Sequence, residues 1–254
     1  MIKVAVIGCA GRMGQATVGA VQAAEDMELI CGIDAHGTDA EFPVYTKLES
    51  ALASEELEVL VDFTQPDAVA ANLKTALAAG VNCVVGTTGL KQEELETIAA
   101  GAINGACLFY APNFTTGAVL MMEFAKVAAP YFPEAEIIEY HHCNKKDAPS
   151  GTAVRTAQLI SEGRDFKSSA PGKETEIAGG EGSRGAEMFG VPLHAVRSMG
   201  YVASQEVIFG SLGQTLTIRH DSWDRNSYMP GVLLGIRSVL DRDGLIVGLE
   251  NFLI

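Results

Sequence analysis

Short β-branched runs alternate with longer helical stretches through the first half of the chain. Residues Lys3–Ile7, Glu28–Ile33, Glu58–Phe63, Asn82–Gly86 and Ala106–Tyr110 read as strands. Between them Arg12–Ala24, Pro66–Ala79 and Lys91–Ile103 carry helical periodicity. The runs VAVI and LEVLV are apolar without strict alternation, as in a parallel sheet covered on both faces. This rhythm predicts an α/β fold whose N-terminal part is a Rossmann domain, a doubly wound parallel sheet.

Beyond Ala111–Phe114 the pattern changes. A helical stretch from about Thr115 to Ala129 leads into the strand AEIIEYHH, and another helix opens at Ser150. Ala170–Glu187 reads as a mobile loop rich in glycine and charge. Leu193–Arg197, Tyr201–Phe209 and Gln214–His220 read as long strands in series, and Met229–Leu240 as a final helix. The second half is thus expected to be an α+β domain on a mostly antiparallel sheet. The expected partition gives residues 1–112 with 222–254 to a dinucleotide-binding domain, and 113–221 to substrate binding and oligomerisation.

Composition narrows the function classes. Hydrophobic residues make up 48% and charged residues 20%, a globular balance that argues against disorder. The net charge of −14 disfavours nucleic acid as a partner, and the densest basic clusters are pairs such as Lys145-Lys146. No apolar run has the length of a membrane span, and Met1 leads straight into a strand rather than a leader, so a cytoplasmic location is expected. Five scattered cysteines without a Cys-x-x-Cys pattern indicate neither a disulfide framework nor a zinc site.

Gly8-Cys9-Ala10-Gly11-Arg12-Met13-Gly14 follows a strand and opens a helix. Glycines there let backbone N–H groups and the helix N-terminus approach a pyrophosphate; a plain strand–helix turn would need the same residues. Asp34 closes the second strand, where a carboxylate can bind ribose hydroxyls. It would repel a 2′-phosphate, and no Lys or Arg occurs from Met13 to Thr46. NADH is therefore the expected cofactor in preference to NADPH, with Arg12 and His36 as the remaining candidates for a phosphate contact. Gly86-Thr87-Thr88-Gly89 and Ala111-Pro112-Asn113-Phe114 follow later strands. They could line the nicotinamide half or serve as ordinary turns.

The segment EYHHCNKKDAPSGTA, from Glu139 to Ala153, is the richest in chemistry. Ser150 suits a helix N-cap, and Gly151 and Thr152 would offer free N–H groups at the positive helix end. With Lys145 alongside, these groups could cradle a carboxylate, and His141 and His142 could donate protons near neutral pH. Paired histidines could also hold a metal, but adjacent strand positions face opposite ways and no third ligand pattern follows. A polar strand end followed by a capped helix would explain the same residues.

Taken together, GCAGRMG, DFTQP at Asp62–Pro66, VVGTTG at Val84–Gly89, APNF and HHCNKKDAPSGTA make the chain similar to the dihydrodipicolinate reductase family over nearly its whole length. That resemblance implies reduction of 4-hydroxy-tetrahydrodipicolinate, with loss of water, in diaminopimelate and lysine biosynthesis. It implies dinucleotide binding by Gly8–Met13, Asp34, Gly86–Thr88 and Ala111–Phe114. His141 would be the proton donor and Lys145 a second donor, while His142 and the Ser150–Thr152 turn would hold a dicarboxylate substrate. Family members that favour NADPH carry basic residues where this chain has Ala35 and Gln65, which again favours NADH. A homotetramer assembled through the second-domain sheet is also implied. Two other readings are a different Rossmann dehydrogenase, for which no equally specific motif is present, and a dinucleotide sensor without catalysis, which would not need His141, Lys145 and the Ser150 helix start.

Overall fold

A computed structural model describes residues 1–164 and 182–254. The chain divides into two compact units, residues 1–116 with 225–254 and residues 117–224. In chain order the first unit contains β1 (Ile2–Ile7), α1 (Arg12–Ala23), β2 (Met27–Ile33), β3 (Val44–Tyr45), α2 (Leu48–Ser54), β4 (Val59–Asp62), α3 (Pro66–Ala78), β5 (Asn82–Val85), α4 (Gln92–Ala99) and β6 (Cys107–Tyr110). The second begins with α5 (Thr116–Ala128) and continues through β7 (Glu134–His141), α6 (Gly151–Glu162), β8 (Ala186–Met188), β9 (Val191–Arg197), β10 (Ala203–Ser211) and β11 (Gln214–Ser222). The chain then returns to the first unit with α7 (Met229–Ser238) and β12 (Gly244–Val247).

The first unit is built on a 7-stranded sheet in the order β12-β6-β5-β4-β1-β2-β3, and its strand pairs are parallel. From β1 the chain steps outward through β2 and β3, then crosses to β4 on the other side. β1 and β4 therefore flank a topological switch point, where ligands bind beyond the strand C-termini. Strands β1 and β4–β6 bury nearly every side chain, which accounts for their unbroken apolar runs. Helix α1 buries Gly14, Thr17, Val18 and Val21 at helical spacing. Helix α3 starts on Pro66, whose missing N–H costs nothing at a first helical position.

The second unit has a 5-stranded sheet in the order β11-β10-β7-β9-β8, with β7 and β9 parallel and the other pairs antiparallel. One face carries Ala135, Ile137, Leu193, Val207 and Phe209 and packs on Ala125, Ala153, Ala157 and Ile160 of α5 and α6. The other face presents Ile138, Tyr140, Val196 and Ile208, all half-buried, among ion pairs such as Glu206–Arg219 at 3.0 Å.

Several expectations change at the level of single elements. Lys91–Ile103 is helical only as far as Ala99, because the chain turns through Gly101 and reaches left-handed backbone at Asn104 and Gly105. Strand β3, helix α2 and strand β12 are additions; each is short enough to lack a clear period. The expected loop over 170–187 lies outside the described residues as far as 181. Its last part differs from expectation: Gly182 and Gly185 form a turn, and Ala186 and Glu187 already belong to β8, paired with β9.

Candidate active site and cofactor cleft

At the C-terminal end of β1 the chain makes a turn that only glycine can follow. Gly8 has φ +80°, and a Cβ on Gly14 would lie 2.0 Å from the Gly8 carbonyl oxygen. The amides of Gly8 and Cys9 donate to the Ile33 carbonyl at 2.8 and 3.3 Å. Cys9 is buried with its thiol against Gly32, so it shapes the turn through its side chain. Gly11 is the N-cap of α1 and brings no side-chain acceptor. The first-turn amides of Arg12, Met13 and Gly14 thus have no partner within the helix, the arrangement that suits an anion such as a pyrophosphate.

Asp34 stands at the end of β2, beside that turn. Its carboxylate accepts the Ala10 amide at 3.2 Å and the His36 amide at 3.1 Å. Those two bonds fix its orientation and leave lone pairs for ribose hydroxyls. The glycine turn, open amides and oriented acid fit a pyridine dinucleotide.

Beyond β4 and β5, one buried side chain organises two loops. Asp62 is fully buried and accepts from the Thr64 amide (2.9 Å), the Thr64 hydroxyl (2.7 Å), Asn72 Nδ2 (2.9 Å) and the Thr87 hydroxyl (2.8 Å). Thr87 is accordingly buried with its hydroxyl committed, whereas Thr88 is exposed. A Cβ on Gly86 would lie 2.1 Å from the Phe63 ring, so that position requires glycine for packing. After β6, Pro112 is exposed, and Asn113 accepts the Thr115 amide at 2.8 Å in a side-chain turn. Phe114 is a core residue, edge-on to Phe109 at 5.6 Å, and can offer a ligand only its backbone.

In the second unit, β7 ends at His141, whose side chain is 14% exposed. Its Nδ1 contacts the Glu139 carboxylate. Glu139 is fully buried and accepts from both terminal guanidinium nitrogens of Arg197, Nη1 to Oε2 at 3.0 Å and Nη2 to Oε1 at 2.8 Å. Arg197 reaches it because β7 and β9 run parallel, with His141 opposite Arg197. Desolvation pushes the Glu139 carboxyl up, but hydrogen bonds from His141 and Arg197 outweigh it and hold the group below its ordinary range.

Downstream, His142 is exposed, and the Lys145 amide donates to its carbonyl at 3.1 Å. Lys145 Nζ pairs with Asp147 at 2.8 Å, and its hydrogen bond keeps the Asp147 carboxyl below the usual carboxylate range. The Asp147 carbonyl accepts from Arg197 at 2.8 Å. Ser150 is buried: its hydroxyl caps α6 by accepting the Ala153 amide at 3.2 Å, and its own amide donates to Glu139, also at 3.2 Å. The next two amides, of Gly151 and Thr152, have no partner within the helix. Gly151 is exposed, and a Cβ there would meet nothing within 4 Å.

His141, Lys145 and the α6 start therefore share one network. Glu139, Arg197 and Asp62, outside the site residues expected from sequence, bind those expected residues into place. The available sequence signal was a glutamate continuing the buried stripe Ala135, Ile137, since a carboxylate on a core face must find cationic partners. Among the described residues no group of three or more His, Cys, Asp or Glu could hold a metal ion. Nor is any described helix long and apolar enough to cross a membrane.

Residues 2–114 match the family model for dihydrodipicolinate reductase, N-terminus, and residues 117–253 that for its C-terminus. The chain belongs to the dihydrodipicolinate reductase family. This is a family of pyridine-nucleotide-dependent reductases with a Rossmann fold. Relatives named 4-hydroxy-tetrahydrodipicolinate reductase include one from Mycolicibacterium smegmatis, 49% identical and covering 99% of each chain. Another, from Streptomyces coelicolor, is 48% identical over 99% of this chain and 98% of its own. Among solved structures, the dipicolinate-bound dihydrodipicolinate reductase from Paenisporosarcina sp. TG-14 superposes with a TM-score of 0.91 at 43% identity, covering 99% of both chains. A diaminopimelate dehydrogenase from C. glutamicum, at 13% identity and a TM-score of 0.58, shares the fold alone.

Proposed function

We propose that this member of the family reduces 4-hydroxy-tetrahydrodipicolinate to tetrahydrodipicolinate, with loss of water, in the pathway to diaminopimelate and lysine. The observation that carries this reading is the full-length likeness to the dipicolinate-bound enzyme, together with an α6 start capped by Ser150 whose first amides suit a carboxylate. A reduced nicotinamide dinucleotide, its pyrophosphate held at the Gly8–Met13 turn, would supply the hydride.

The chain's own residues do the rest. The amides of Gly151 and Thr152 bind a substrate carboxylate, with Ser150 fixing the helix start that presents them. Lys145 adds positive charge beside it, and Lys145 and His142 add hydrogen-bond donors. As hydride adds, negative charge grows on the substrate ring, and these donors stabilise it most at that moment. His141 then gives its Nε2 proton to the ring, with Lys145 as a second donor. In the other unit, Gly8, Gly11, Arg12 and Met13 approach the pyrophosphate and Asp34 takes the ribose hydroxyls. Cys9 and Ala10 shape that turn, and Gly86–Thr88 with Ala111–Phe114 line the nicotinamide half mainly through backbone.

NADH is the preferred cofactor. Asp34 would face the ribose, Ala35 beside it is neutral, and Gln65 is neutral where relatives that favour NADPH carry a base, so a 2′-phosphate would meet a carboxylate with only Arg12 and His36 as candidate basic partners. The dinucleotide is assigned to residues 1–116 with 225–254, and the substrate and subunit contacts to 117–224. The half-buried apolar side chains on the open face of the second sheet support a homotetramer built on that face. A biosynthetic role drawing on the metabolic NADH pool supports a cytoplasmic location. The test is a coupled assay in which a condensing enzyme makes the substrate from pyruvate and aspartate semialdehyde. The expected result is NADH oxidation that requires both precursors; none at high enzyme concentration would overturn the reading.

A further inference from the structure

His141 is anchored on one side, and a single buried group provides the anchor. Glu139 lies two positions earlier on β7, so the strand period turns both side chains to one face. Its carboxylate reaches three separate parts of the second unit: the His141 ring, the Arg197 guanidinium on β9 and the amide of Ser150 at the α6 start. We propose that Glu139 is a positioning residue, which keeps a hydrogen on His141 Nδ1, leaves Nε2 as the donating atom, and ties that ring to the helix start that holds the substrate carboxylate. The proposal rests on His141 being the proton donor.

An ionised carboxylate only accepts, so the imidazole nitrogen touching it must carry the hydrogen. This holds for both the charged and the neutral ring, and in the charged ring the proton free to leave is then the one on Nε2. In the transfer the Nε2–H bond breaks, its electrons stay on nitrogen, and a C–H bond forms on the substrate ring from the enamine electron pair that hydride addition leaves there. His141 is left neutral with its hydrogen on Nδ1, and solvent restores the Nε2 proton. Arg197 makes the arrangement tenable, because a fully buried carboxylate without a cation would be strongly destabilising. Its bidentate grip also fixes the plane of the carboxylate and hence the ring's direction. The bond to Ser150 means that one group sets the spacing between donor ring and carboxylate cradle, independently of the exposed stretch between them.

A double-mutant cycle on the full chain tests this, with turnover measured in the coupled assay. In the wild-type background Glu139→Gln is expected to lower kcat roughly 10- to 100-fold, since it removes the group that orients the donor. In a His141→Ala background the same change should alter kcat by less than about 2-fold, because no ring remains to be oriented. Equal losses in both backgrounds would overturn the proposal while leaving the functional reading intact. Near-normal kcat in His141→Ala alone would instead overturn the reading on which it rests. Should Glu139→Gln fail to fold, the ring nitrogens of wild-type His141, assigned by loss of signal in His141→Ala, decide the matter by 15N NMR. Whenever the ring is neutral, its hydrogen is expected on Nδ1; hydrogen on Nε2 with Nδ1 bare would overturn the proposal.

Discussion

Arg197 grips both oxygens of the fully buried Glu139, at 3.0 and 2.8 Å, across the parallel pairing of β7 with β9. Removing the cation leaves a charge in the core with only His141 and one amide as donors. Arg197→Ala should therefore destabilise the second unit by about 3 kcal/mol, the lower end of the range for breaking such pairs because part of Arg197 meets solvent. Chemical denaturation measures this, and a loss below about 1 kcal/mol would contradict the pairing's importance.

The same pair sets an acid limb of stability. Glu139 titrates below its ordinary value of 4.5 in the folded chain, despite the burial that pushes it up. The unfolded chain takes up that proton at higher pH, so the contribution is fully present above the ordinary value and is lost as pH falls through the lower, folded one. Thermal melts between about pH 6 and pH 3 should fall less steeply for a Glu139→Gln chain than for wild type. Parallel curves would show that other carboxylates carry the acid response.

Gly151 tests the carboxylate cradle without disturbing the core. A Cβ there meets open space, so Gly151→Ala should keep or slightly raise the melting temperature. It should nonetheless raise KM for the substrate several-fold, because the methyl group enters the space a carboxylate would occupy. Unchanged KM would place substrate binding elsewhere.

Cofactor choice follows from the end of β2. With Asp34 oriented by the Ala10 and His36 amides, NADH should be used at least as well as NADPH. Ala35→Arg should shift the kcat/KM ratio towards NADPH by about 10-fold, through a new phosphate partner. Steady-state kinetics with both cofactors decide it, and a strong wild-type preference for NADPH would contradict the assignment.

Much of this architecture was legible in the chain, for identifiable reasons. Buried parallel strands write unbroken apolar runs, and the glycine turn of Gly8–Gly14 is dictated by backbone so close that a Cβ on Gly14 would lie 2.0 Å from the Gly8 carbonyl oxygen. Ser150 behaves as a cap because its hydroxyl has one favourable local partner, the Ala153 amide. The elements that escaped are short, such as Val44–Tyr45 and Gly244–Val247, whose place is set by pairing with a neighbouring strand rather than by their own pattern. The supporting shell escaped for a different reason. Glu139 and Arg197 are 58 positions apart and meet only through strand register, and Asp62 meets Thr87 across 25. Phe114 and Thr87 show the converse, since a motif names residues without saying which of their atoms are already engaged.

The proposed reduction turns on His141 as the proton donor. The most direct measurement compares His141→Ala with wild type in the coupled assay, alongside NADH binding followed by fluorescence. Loss of such a donor should lower kcat by roughly 10²–10⁴-fold, while NADH affinity stays within a few-fold because the dinucleotide turn lies in the other unit. Near-normal turnover in His141→Ala, or loss of NADH binding in step with activity, would contradict it.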